Sequence, residues 1–298
     1  MAIRNRHWFR IIFYGSLVFL IIALIRADYL VIPAIQRPIN LVVSLILLFL
    51  GFYLNAFSWT RMVQVGGYRV SRREGIRSSG LSVFAKYIPG KVWVIMGRSE
   101  YLARKYRWSR RDLGSLSLDA QFIALWVALL IGAAGMILLR KTDLFGLYVV
   151  ILFLLLSLMI FTPLFQKVAG QLLGKIMKKP VSLPKLTFSE TIRVIPWYAA
   201  NWGLWCIAFF FLASGLTNHM PEIHIATSFG LAGSLGIIAV FAPGGLGVRE
   251  GILTGYLTMA GMDLPMATTI AVSSRLWFLL GEVFIFLLAA SLYRKDPA

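Results

Sequence analysis

Eight ionisable residues stand inside or at the edge of long apolar stretches: Lys86, Lys91, Asp119, Arg193, Arg249, Glu250, Arg275 and Glu282. A charge at the centre of a membrane helix costs roughly 2.5 to 3.5 kcal/mol on insertion scales, so each should face protein or water rather than lipid. Three of the cations lie near breaks in the apolar pattern. Pro89-Gly90 precedes Lys91, and the run Ala242-Pro243-Gly244-Gly245-Leu246-Gly247-Val248-Arg249-Glu250 interrupts a second apolar stretch. Backbone N–H groups freed at the start of a helix attract anions. Gly244, Gly245 and Gly247 would let the chain approach a phosphate closely, and Arg249 could hold it with a bidentate fork. The Lys-Ser/Thr of a nucleotide-binding loop does not follow the glycines, which disfavours nucleotide. The alternative reading of the turn is a helix break solvated by its neighbours. Arg275 and Glu282, seven apart on one helix face, either pair within the bundle and lock helices together or join the charged site.

The elements that must position these residues follow from composition. Of 298 residues, 59% are hydrophobic and 14% charged, against about 25% charged in a soluble domain. That surplus exceeds what one core buries and must face lipid. The net charge of +18 would suggest nucleic acid in a soluble protein, but the basic residues sit between apolar spans, as orientation signals do, and no nucleic-acid partner is expected. Cys206 stands alone in an apolar run, and His7, His219 and His224 lack the spacing of a metal site, so neither a metal nor a cofactor is expected.

Apolar runs predict six full spans: Ile11 to Ile25, read as an uncleaved first helix, then about Ile39 to Trp59, Leu113 to Leu139, Leu144 to Phe165, Ile192 to Gly215 and Met266 to Leu292. The stretch 81–97 carries Lys86, Pro89, Gly90 and Lys91 in its middle. It has basic clusters on both sides, Arg61 to Arg77 before it and Arg98, Arg104, Lys105, Arg107, Arg110 and Arg111 after it. A hairpin entering and leaving by one face keeps both clusters on the same side. The stretch 225–262 is read as a second hairpin with the Pro-Gly-Gly turn at its tip, because the arm from Ile252 to Met262 is too short to cross.

With the N-terminus cytoplasmic, the tails and the loops after the second and fourth spans hold 21 Lys and Arg, while Arg26, Arg37, Arg140 and Lys141 lie opposite. Both termini are therefore expected in the cytoplasm. Tyr101, Tyr106, Trp108 and Arg110 form an amphipathic stretch at that surface, suited to anchoring among anionic head groups. The hairpins open to opposite sides, and their tips, Tyr87-Ile88-Pro89-Gly90 and Phe241-Ala242-Pro243-Gly244, match loosely at 154 residues' separation. The fold class is thus an all-α polytopic integral membrane protein with two oppositely oriented re-entrant hairpins. It forms one transmembrane domain over 1–298, whose halves, 1–143 and 144–298, read as an inverted repeat. Broken segments at matching positions of two halves point to a transporter's central site.

Tyr87-Ile88-Pro89-Gly90-Lys91-Val92 followed by Arg98, then Pro243-Gly244-Gly245-Leu246-Gly247-Val248-Arg249-Glu250, then Arg275-Leu276, resemble the lysylphosphatidylglycerol synthase transmembrane-region family over nearly the whole chain. That family includes the flippase part of the multiple peptide resistance factor and stand-alone membrane proteins of this size. The resemblance implies movement of a phospholipid, aminoacylated or not, between leaflets of the cytoplasmic (inner) membrane. It does not imply aminoacylation, which a soluble C-terminal domain performs in two-part members; the chain is expected not to be an enzyme. The expected site is Pro89, Gly90, Lys91, Gly244, Gly245, Gly247, Arg249, Glu250, Arg275 and Glu282. The cations would contact phosphate, and Glu250 or Glu282 would balance charge or read an amine. The expected partners are membrane phospholipids. Two alternatives stay open: an accessory subunit or scaffold for a separately encoded lipid-synthesis enzyme, and an intramembrane lipid-modifying enzyme, which lacks a nucleophile with a paired base.

Overall fold

The computed structural model describes residues 34–88, 92–139, 144–162, 186–239 and 242–292, with the isolated positions 167 and 171; at Val92 and Pro243 only the backbone is described. Among these residues the chain is helical without strands, as its composition demands: α1 (Pro38–Val65), α2 (Arg72–Leu81), α3 (Val92–Tyr106), α4 (Arg110–Leu138), α5 (Leu144–Phe161), α6 (Phe188–Leu216), α7 (Ala226–Ile238), α8 (Val248–Met259) and α9 (Leu264–Ser291). Tight 3-10 turns at Val83–Tyr87 and Pro243–Gly245 precede α3 and α8. Five of these helices, α1, α4, α5, α6 and α9, are long and apolar enough to cross a membrane. They coincide with five of the six expected spans. The sixth, Ile11 to Ile25, lies outside the described residues, as does the Lys-rich stretch at 172–185.

Helix starts are written in the sequence. Ser71, Ser109, Thr187 and Asp263 cap α2, α4, α6 and α9, each accepting a hydrogen bond from the N–H three residues on. At α6 Glu190 reaches back to the Thr187 N–H, closing a capping box. The ends run further than hydropathy suggests. Helix α1 continues past Arg61 to Val65, because backbone hydrogen bonding does not stop where the apolar run does.

The core forms where small residues let helices approach. Asn201 of α6 donates to the Gly51 carbonyl of α1 at 3.1 Å and accepts from Asn55 at 3.0 Å, while Ser44 donates to the Ala208 carbonyl at 2.7 Å. Buried polar groups of this kind fix one helix against another in a lipid-facing bundle. Gly281 of α9 lies directly under the ring of Phe52, with no room for a side chain. Helix α5 is the opposite case: it presents Leu147, Ile151, Leu154, Leu155 and Leu158 outward, as a lipid-facing helix would.

Two departures from the sequence reading bear on the site. Helix α3 does not end at Gly97 but runs through Arg98 to Tyr106. Arg98 therefore belongs to a packed helix rather than to an exposed basic loop, and it is buried. In addition, the segment after Arg69 forms the separate helix α2, whose buried Glu74, Arg77 and Ser78 pack it against α1, α3 and α9. Its polar composition hid it from hydropathy.

Candidate functional site

The second break is built by glycines in backbone conformations that other residues resist. Gly244, Gly245 and Gly247 have φ of 60°, 73° and 80°, the left-handed region where a Cβ meets its own carbonyl. Gly244 is also needed for space: a Cβ there would lie 2.6 Å from a ring carbon of Tyr87 and 2.9 Å from an Arg275 guanidinium nitrogen. The turn before α8 thus meets the turn before α3, with Tyr87 against Gly244. Pro89, Gly90 and Lys91, the other expected members of the first tip, lie outside the described residues.

Helix α9 touches both turns. Arg275 donates to the Gly244 carbonyl at 2.9 Å, and its guanidinium stands 3.9 Å from the Glu250 carboxylate. Two turns further along, Glu282 accepts hydrogen bonds from Lys86 Nζ and, at 2.7 Å, from the Tyr87 hydroxyl. The seven-residue spacing offered Arg275 as Glu282's partner. The hydrogen bonds come from the first turn instead, because a residue on another element can approach the carboxylate end-on, whereas two side chains on one helix seven apart must reach along its axis.

The glycine N–H groups are partly spoken for. That of Gly245 donates to the Ala242 carbonyl at 2.9 Å, and that of Gly247 to Glu250 Oε2 at 2.8 Å, as a residue three places into a helix does to its cap. The anion cradle expected of these two donors is therefore closed in this conformation. The other oxygen of Glu250 is buried and receives no hydrogen bond from the described residues.

Arg249 is the most unusual member. Its residue surface is only 6% exposed. Its guanidinium stands over two adjoining rings, 4.5 Å from the centroid of Phe229 on α7 and 4.6 Å from that of Phe278 on α9, which lie 5.6 Å apart and tilted to one another. The cation–π attraction of such a contact is about 2 kcal/mol when desolvated. Yet Nε and Nη2 are buried without a hydrogen-bond partner among the described residues. A charged group left so normally costs several kcal/mol.

The structure therefore brings together Gly244, Gly245, Gly247, Arg249, Glu250, Arg275 and Glu282 and adds Lys86, Tyr87, Phe229 and Phe278. Its ionisable side chains lie within one another's electrostatic reach. Among the described residues three cations, Lys86, Arg249 and Arg275, face two carboxylates, Glu250 and Glu282, a formal charge of +1 in a buried cluster. Asp119 and Arg193 are not part of it: Asp119 is buried between α4, α5 and α6 beside Phe122 and Thr191, and Arg193 is exposed near the start of α6.

A model of the lysylphosphatidylglycerol synthase transmembrane region matches residues 8–289. The chain belongs to that family. No curated protein matches it. This member of the lysylphosphatidylglycerol synthase transmembrane-region family is thus an all-helical polytopic integral membrane protein connected with lipids; of the residues on which the resemblance rested, Tyr87, Gly244, Arg249, Glu250 and Arg275 meet in one cluster, whereas Arg98 lies apart against Ser117 and Trp59.

Proposed function

We propose that the chain is a phospholipid translocator of the cytoplasmic membrane, both termini cytoplasmic, that carries a lipid head group past the cluster where the two broken segments meet. The observation that carries this reading is Arg249: a buried guanidinium with unsatisfied N–H groups, in a cluster with an excess positive charge, fits an anion that is sometimes present. A phosphate supplies both the hydrogen bonds and the countercharge. A purely structural arginine would be saturated by carboxylates and carbonyls.

The reading takes the turn at Val83–Tyr87 with α3, and α7 with α8, as re-entrant segments that open to opposite faces. The conformation described is then an occluded one. The Phe229 and Phe278 rings and the Gly245 and Gly247 hydrogen bonds fill the places a head group would take. Opening either segment frees them. No ATP-binding loop is involved, so lipid concentration, membrane potential or another ion gradient drives the movement.

Purified protein in vesicles containing head-group-labelled phospholipid, read with a leaflet-selective quencher, tests this. Exchange faster than in protein-free vesicles, with the lipid chemically unchanged and the rate cut at least tenfold by Arg249→Gln, is the expected result. A changed lipid product points to an enzyme. A rate no higher than in protein-free vesicles points to an accessory role, and an unaltered rate in a folded Arg249→Gln protein removes Arg249 from the mechanism.

A further inference from the structure

Among the described residues, Glu282 is the carboxylate that ties the first broken segment to α9. It is 1% exposed and accepts from Lys86 Nζ and the Tyr87 hydroxyl, both on the turn directly before Pro89-Gly90-Lys91. The second broken segment is tied to the same helix through Arg275, which donates to the Gly244 carbonyl and stands more loosely, at 3.9 Å, from the Glu250 carboxylate. One helix thus holds both turns, but the first is held by a carboxylate hydrogen-bonded directly to the turn, whereas the second keeps its bond to the Gly244 carbonyl whatever the charge on Glu250.

We infer that Glu282 is a proton site through which the chain couples lipid movement to proton movement in the same direction. This rests on the translocator reading above. The charges that face Glu282 are Lys86 and the Tyr87 hydroxyl from the first turn, Arg275 on its own helix, and Arg249 and Glu250 from α8. On the neighbouring α1 the groups packed against α9 there are the apolar Phe49 and Phe52. With both carboxylates ionised the described residues of the cluster carry +1. A proton on Glu282 raises it to +2, and a phosphodiester of charge −1 restores +1. Proton and lipid phosphate therefore favour each other's binding, and linkage requires the effect to be mutual.

The geometry supplies the mechanical half. Neutral Glu282 can no longer form an ion pair with Lys86, so the hold of α9 on the first turn weakens, and Tyr87 can withdraw from Gly244. The step is a proton transfer only: Glu282–COO⁻ takes one proton from water to become Glu282–COOH and returns it on the other side. No covalent bond in the lipid changes.

The test uses the whole protein in detergent with dihexanoyl phosphatidylglycerol, a soluble phospholipid with one phosphate and no amine. Binding is read by tryptophan fluorescence and proton uptake by a pH dye in weak buffer. Binding that tightens as pH falls, up to about tenfold per pH unit, with close to one proton taken up per lipid bound, is expected. Glu282→Gln should bind with no proton uptake and no pH dependence. Should Glu282→Gln fail to fold, Lys86→Gln is informative: it removes the cation that opposes neutralisation, so uptake should occur at higher pH. Lipid binding without proton uptake in the wild type, uptake persisting in Glu282→Gln, or uptake unmoved in Lys86→Gln overturns the proton site and leaves the translocator reading standing. Absence of lipid binding at every pH overturns the translocator reading, and the proton site with it.

Discussion

Arg98 and Arg249 are both arginines buried in helices of an apolar bundle, each with its guanidinium over an aromatic ring. The ring is Trp59 at 4.4 Å in the first case and Phe229 and Phe278 at 4.5 and 4.6 Å in the second. They differ in what holds the N–H groups. Arg98 donates from Nε to the Ser117 hydroxyl and from Nη2 to the Ser117 carbonyl, both at 2.6 Å, and the same hydroxyl donates onward to the Ile95 carbonyl. Arg249 stands over two adjoining rings, and its Nε and Nη2 find no acceptor among the described residues. Aromatic rings shelter a cation, but only acceptors saturate it. Arg98 fits a residue that joins α3 to α4, and Arg249 fits one that is waiting for something.

The largest effect that could break this comparison is on stability. Arg98→Leu removes two charge-assisted hydrogen bonds and should lower the unfolding free energy by about 3 kcal/mol. Arg249→Leu removes a buried charge without such bonds and should be close to neutral, or stabilising by about 1 kcal/mol or more. Denaturant unfolding in a fixed detergent measures both. Equal losses would mean that Arg249 is as much a structural residue as Arg98.

A somewhat smaller effect separates glycines the site requires from those it does not. Gly244→Ala places a Cβ against Tyr87 at φ of 60°, and the backbone alone costs about 1 to 2 kcal/mol. The variant should be destabilised by roughly that much or more and should exchange lipid more slowly per folded molecule. Gly251 and Gly255 on α8 face open space. Alanine at either should stabilise the helix by up to about 1 kcal/mol. Matching losses at all three positions would show that α8 as a whole, not its glycine turn, is what tolerates no change.

Much of this cluster was legible in the sequence because charge in an apolar run is expensive and therefore conspicuous. Arg249, Glu250, Arg275 and Glu282 stand out on that ground, and so do the five described spans and the glycine turn. Lys86 was visible for the same reason but looked like part of a hairpin's polar middle. Nothing in the chain order says that it meets Glu282, 196 residues away. Phe229 and Phe278 carried no signal at all, since 21 phenylalanines in a lipid-facing chain are expected whether or not two of them flank a cation. Arg98 was misplaced because a cluster of basic residues reads as a loop. What distinguishes it is Ser117, which lies on the next helix and becomes its partner only after folding.

Lysine substitutions sharpen the comparison at a smaller scale. Arg98→Lys keeps the charge but cannot place two donors on the Ser117 hydroxyl and carbonyl together, so about 1 kcal/mol of stability should be lost. Arg249→Lys has no such pair to lose and should unfold within about 0.5 kcal/mol of the wild type. Its deficit should appear in lipid exchange instead. A stability loss in Arg249→Lys equal to that in Arg98→Lys would show that the planar shape of Arg249 serves the contacts with Phe229 and Phe278 alone.

The smallest expected effect extends the contrast to carboxylates. Glu74 on α2 is saturated as Arg98 is: Tyr101 donates to it at 2.8 Å, and Lys105 and Arg77 stand at 3.3 and 3.4 Å. Burial by itself pushes the Glu74 carboxyl upward, but the hydrogen bonds from Tyr101 and Lys105 and the charges of Lys105 and Arg77 outweigh it and hold the group below the usual carboxylate range. A carboxyl whose folded value is depressed binds its proton more readily in the unfolded chain. Its stabilising contribution is therefore complete above the unfolded value, near pH 4.3 to 4.5, and is lost as pH falls through the lower folded value. Glu74 lies close to the exposed Ser71 and Arg72 at the end of its helix, where solvent screens the interaction and keeps the effect modest. Thermal midpoints measured between pH 7 and pH 3.5 should fall more steeply in the wild type than in Glu74→Gln, with the two curves converging at the acid end. Parallel curves would mean that Glu74 contributes shape to the α2–α3 contact but no net electrostatic stabilisation.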